Sequence, residues 1–122
     1  MKLRQFAARG AIALLLAAVA PLAFAHAHPT HRTPEAGTTA PVSTAAVAID
    51  FDEGLEPAFS SIKVTDAGGQ PVTQGKSSVS GDANKRMSVA LTALKPGVYT
   101  VNWVAVATDG HRTQGTYTFT AQ

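Results

Sequence analysis

The stretch LKPGVYTVNWVAVATDGHRTQGTYTFT, residues 94–120, decides the fold. Lys95-Pro96-Gly97 is a turn, and the longest strand follows it, from Val98 to Ala107. Thr108-Asp109-Gly110 then makes a tight loop, and Gly115, Tyr117 and Phe119 mark a returning strand with period two. Strand, short polar loop and strand make a hairpin. Tyr99 and Trp103 lie on the same side of the alternation and read as packing residues.

Upstream, the same period recurs. Val47, Ile49 and Phe51 share a face; Ile62 and Val64 do so after the break at Gly54 and Pro57; Met87, Val89 and Leu91 follow later. Turns fall at Asp66–Gly69 and Gly81–Asn84, with short, weak strands expected over Pro71–Gln74 and Lys76–Ser80. No helical spacing extends over three turns after residue 25. Short strands punctuated by turns every 8–12 residues predict an all-β sandwich of about seven strands. Residues 26–43 carry Pro29, Pro34, Pro41 and Gly37 without a visible period, and are expected to be an irregular arm.

Residues 1–25 have the form of a secretory signal peptide. Lys2, Arg4 and Arg9 precede an apolar run from Ala11 to Leu22, and Ala23-Phe24-Ala25 fits the cleavage pattern. The apolar run is short for a membrane anchor, the alternative reading, which takes about 20 residues. Cleavage there makes His26 the first mature residue. Ala25-His26-Ala27 also fits the pattern and would expose His28 instead. Three cations leave with the leader, so 26–122 carries seven Lys and Arg against eight Asp and Glu. The net charge of +2 therefore belongs to the leader and does not argue for nucleic-acid binding. About 97 residues make one domain. The chain has no cysteine, which excludes disulfides and thiolate chemistry. No membrane-spanning run follows the leader.

The chemistry concentrates at the two ends of the mature chain. His26, His28 and His31 crowd its start, and Asp109 and His111 sit in the loop of the last hairpin. An N-terminal histidine offers an α-amine and an imidazole to one ion. An arm lying across the hairpin end brings them to His111 and Asp109. Nitrogen and oxygen donors of this kind suit Cu²⁺, whereas Cu⁺ prefers sulfur, and Met87 alternates on an apolar face. Plainer readings compete: solvated arm histidines, an ordinary Asp-Gly turn, and strand-end carboxylates at Asp52 and Glu53. A further rival is the arm itself. His26-Ala27-His28 can wrap Cu²⁺ or Ni²⁺ with its amine, two backbone nitrogens and the His28 ring, without a folded domain.

These residues resemble the CopC-type copper resistance proteins of the bacterial periplasm. HAHPTHRTP (26–34) is similar to the family's opening. IDFDEGLEPAFSSIKVTDAGGQPV (49–72) resembles its strand–Phe-Ser–strand block, with Glu53 at the acidic position, and residues 94–120 carry the most specific match. The resemblance implies a small Greek-key, immunoglobulin-like sandwich. It implies one Cu²⁺ per chain, held by the His26 amine and ring, Asp109 and His111, with Glu53 at or near the metal. It also implies a periplasmic monomer that stores copper or delivers it to an inner-membrane transporter of the CopD type, and that is not an enzyme. An oxidative copper enzyme and a metal-free interaction domain are the alternatives. Two departures stand out. TDAGGQPVTQGKSS (65–78) lacks the methionines with which some members bind Cu⁺. The fourth mature residue is Pro29 rather than an apolar side chain, which predicts weaker docking of the arm.

Overall fold

Alternation along the chain becomes two facing sheets in the computed structural model, which describes residues 26–122; the expected leader, 1–25, lies outside them. The strands are β1 (Pro29–Thr33), β2 (Thr39–Ala40), β3 (Ala46–Phe51), β4 (Ser61–Thr65), β5 (Thr73–Ser80), β6 (Arg86–Leu91), β7 (Gly97–Val106) and β8 (Arg112–Ala121). One sheet runs β1-β3-β6-β5 and the other β2-β8-β7-β4. All pairings are antiparallel except the two-residue β2, which lies parallel to β8. This is the immunoglobulin order, four strands over three, with β2 as an extra edge. No helix among the described residues is long and apolar enough to cross a membrane.

The period-two positions meet between the sheets. Val47, Ile49, Phe51, Met87, Val89 and Leu91 come from one layer. Ile62, Val64, Tyr99, Val101, Trp103, Tyr117 and Phe119 come from the other, and all are buried. Phe51 meets Trp103 edge-on at 5.3 Å, and Tyr99 stacks on Phe119 at 5.6 Å. Such ring pairs add stability beyond their buried area. The Tyr99 hydroxyl accepts from the Lys95 N–H at 2.9 Å and donates to the Lys95 carbonyl at 2.7 Å. That pins the turn before β7 in the manner of a tyrosine corner. Trp103 lies opposite Gly115 on β8, and its indole occupies the space a side chain there would need.

Three expectations are corrected. The arm is not irregular throughout: Pro29–Thr33 pairs with β3 and Thr39–Ala40 with β8. Both are edge strands held by main-chain bonds. Most of their side chains face solvent, so no apolar period marks them. The two weak strands near residue 75 are one strand, β5, whose register shifts between Gln74 and Ser78. Pro29 does not loosen the arm. Ala27 is fully buried, Pro29 pairs with Phe51, and the Arg32 guanidinium lies 5.4 Å from the centre of the Tyr117 ring.

Candidate metal centre

Asp109 and His111 are set by the β7–β8 hairpin. Its ten-residue strands stay in register to Val106 opposite Arg112. Beyond that pair the Ala107 N–H donates to the His111 carbonyl at 2.9 Å, and the Gly110 N–H to the Ala107 carbonyl at 2.8 Å. Gly110 has φ of 90°, which a side chain would disfavour. Asp109 closes the loop on itself. Its Oδ1 accepts the His111 N–H at 3.0 Å, and its Oδ2 lies 2.9 Å from His111 Nδ1. These two contacts, the backbone bond first, hold the Asp109 carboxyl below its ordinary value. Slight desolvation opposes them; the charges of His111 and His26 add to them.

His26 arrives from the other sheet. The Thr113 hydroxyl donates to the Ala27 carbonyl at 2.7 Å, fixing the arm to the start of β8. On the next residue, the His28 N–H donates to Asp52 Oδ1 at 2.7 Å and the Asp52 N–H donates to the His28 carbonyl at 3.0 Å. The His26 ring thereby sits 5.1 Å from the His111 ring and 6.0 Å from the His28 ring, centre to centre. His31 is elsewhere, 3.7 Å from Glu35 on the exposed face of β1. The Glu53 loop reaches the same end through main-chain bonds, with the Thr108 N–H on the Gly54 carbonyl at 3.1 Å. Glu53 is half-buried there, and its carboxylate makes no hydrogen bond or ion pair among the described residues.

The four candidates therefore gather at one end of the sandwich, but to different degrees. Among the described residues, no three His, Asp or Glu side chains converge tightly enough to hold an ion by themselves. Two of the rings do fit one ion. An imidazole bound at about 2.0–2.1 Å places its centre roughly 3 Å from the metal, so two rings on one ion lie roughly 4–6 Å apart. The 5.1 Å between His26 and His111 falls in that range. With Nδ1 2.9 Å from its Oδ2, the Asp109 carboxylate orients the His111 ring. Sequence reasoning missed the clamp made by Asp52 and Thr113, because a side chain bonded to distant backbone leaves no period or motif. It also missed an open groove of about 640 Å³ beside the loop, lined in part by Phe59, Val104, Val106 and Arg112.

The fold has counterparts among known proteins. Residues 30–122 match the family model described as the CopC domain. The chain belongs to the CopC domain family. Its function is accordingly tied to copper. The crystal structure of CopC from Methylosinus trichosporium OB3b superposes with a TM-score of 0.73 at 30% identity, over 80% of this chain and 94% of that one. PcoC from Escherichia coli, described as a methionine-rich copper resistance protein, gives 0.69 at 30% identity, over 80% and 100%. Protein YobA of Escherichia coli K12 is 37% identical over 116 residues, 93% of this chain and 94% of its own length. The copper transport protein CutJ of Bacillus subtilis is 34% identical over 97 residues. That is 79% of this chain but 18% of CutJ, so the matched region is a small part of a longer protein.

Proposed function

We propose that the mature protein, exported to the periplasm and beginning at His26, carries one Cu²⁺ as cargo. The His26 amine and ring and the His111 ring supply three nitrogens, Asp109 supplies a weaker oxygen donor, and Glu53 belongs to the outer shell. The observation that carries this reading is the pairing of the His26 and His111 rings at 5.1 Å, with Asp109 beside them. Among the described residues, no three such side chains gather to hold an ion by themselves. The missing donor is the amine that cleavage creates, and a nitrogen-rich set of this kind favours Cu²⁺ among divalent ions. Copper resistance in PcoC and copper transport in CutJ support a role in copper handling; delivery to an inner-membrane transporter of the CopD type is the partner we propose for it. An oxidative enzyme of this kind usually has a flat, exposed aromatic surface, whereas Trp103, Tyr99 and Tyr117 are buried and Phe59, beside the loop, is a single exposed ring.

The test is the chain's first atom. Cu²⁺ affinity is measured by chelator competition for protein starting at His26 and for protein with one glycine added before it. The added residue is expected to weaken binding at least a hundredfold, the scale of losing one metal–ligand bond of about 3 kcal/mol or more. Equal affinity in the two proteins would overturn the reading.

A further inference from the structure

The same three residues that open the mature chain can bind copper in two incompatible ways. In the arm chelate, the His26 amine, the Ala27 and His28 backbone nitrogens and the His28 ring lie in one plane around the ion. In the folded site, His26 joins His111 and the backbone nitrogens take no part. The structure shows what separates the two. The His28 nitrogen is turned away to Asp52 Oδ1 at 2.7 Å, and the Asp52 N–H grips the His28 carbonyl at 3.0 Å. The Ala27 carbonyl is held by Thr113, and Ala27 is fully buried. To form the chelate, the His28 nitrogen must leave a charge-assisted bond and Ala27 must leave the core. The His28 ring must also swing in from 6.0 Å.

We propose that Asp52 is a positioning residue that selects the folded copper site over the arm chelate, by holding the His28 main chain against β3. It touches no metal. It acts through the strand, keeping the His28 nitrogen pointed away from His26 so that the amine and ring face His111. The inference rests on the reading of His26 as first residue and ligand. It adds a prediction that reading does not make, namely that one exposed carboxylate outside the ligand set decides the coordination mode. Thr113 is its partner on the other sheet.

The experiment uses the mature protein and its Asp52→Ala, Asp52→Asn and Asp52→Ala/Thr113→Val variants, each checked for folding by circular dichroism. Cu²⁺ is followed by electron paramagnetic resonance with nitrogen superhyperfine counting. Ni²⁺, which forms a diamagnetic square-planar complex with four such nitrogens, is followed by its visible band. Wild type is expected to show three nitrogens on Cu²⁺ and no square-planar Ni²⁺ band. Asp52→Ala should bind Ni²⁺ in the four-nitrogen form about tenfold more tightly or better, matching the loss of a hydrogen bond to a charged group. The double variant should go further. Asp52→Asn keeps an oxygen acceptor and should stay near wild type. A wild type that already shows four nitrogens overturns the proposal, as does an Asp52→Ala protein that keeps three nitrogens and no Ni²⁺ band. Either result leaves the His26 ligand reading standing. A wild type that binds no Cu²⁺ would sink both.

Discussion

Asp109 spends both of its oxygens on His111, one on the backbone and one on the ring. That double contact holds its carboxyl below the ordinary carboxylate value. A depressed acid keeps its charge until pH falls through the lowered value, so Asp109 stays ionised across the neutral range. His111→Ala is expected to weaken Cu²⁺ binding most, because it removes a nitrogen donor from the proposed site. Asp109→Asn should weaken binding less and leave the slope between about pH 5 and 8 unchanged. Competition titrations across that range decide, and a larger loss in Asp109→Asn than in His111→Ala, or a changed slope in Asp109→Asn, would overturn this. The Asp109-Gly110-His111 triplet was legible as a candidate from its residue types. The role of Asp52 was not, since an aspartate after a strand looks the same whether or not it clamps another chain segment.

The β7–β8 hairpin is the element that fixes the site, and its geometry depends on a close approach. A Cβ on Gly115 would lie 2.6 Å from Trp103 Cζ2 and 2.7 Å from Nε1. Ring atoms in a packed core cannot yield that much. Gly115→Ala is expected to destabilise the fold by about 1–3 kcal/mol, the usual cost of overpacking. For a domain of this size that lowers Tm by about 4–8 °C per kcal/mol. Thermal melts followed by Trp103 fluorescence test this, and an unchanged Tm would mean that the indole has another position available. The hairpin, β3, β4 and β6 were legible because one face of each is buried, which imposes period two. β1 and β2 were not. Their pairing is made by backbone atoms at sheet edges, and backbone atoms are the same in every sequence. The part of the fold that carries His26 was therefore the part least visible before the structure.

For the whole molecule, the supply of sulfur bears on which oxidation state of copper the proposed site would keep. The chain has no cysteine and two methionines, Met1 in the expected leader and Met87. Met87 is fully buried between the sheets, pairing with Ile49 on β3 and Val79 on β5. No thioether among the described residues thus faces solvent, and the chain does not share the methionine-rich composition that the description of PcoC names. Imidazoles alone make a poor site for soft Cu⁺. Reduction of the copper-loaded protein with ascorbate is expected to release the metal to a Cu⁺ chelator. Retention in wild type that disappears in Met87→Leu would reveal a sulfur site and overturn this.

The direction of β8 has a practical consequence. The strand leaves the metal end at Arg112 and runs to Ala121, where the Gln122 N–H bonds the Ala40 carbonyl at 3.0 Å. Nine steps at about 3.3 Å put its far end roughly 30 Å from the candidate ligands at the hairpin loop. A paramagnetic ion at one pole and a probe at the other form a built-in ruler. A nitroxide or fluorophore attached after Gln122 would report arrival and loss of Cu²⁺ by dipolar broadening or quenching, without touching the amine that any label at the opposite terminus would destroy.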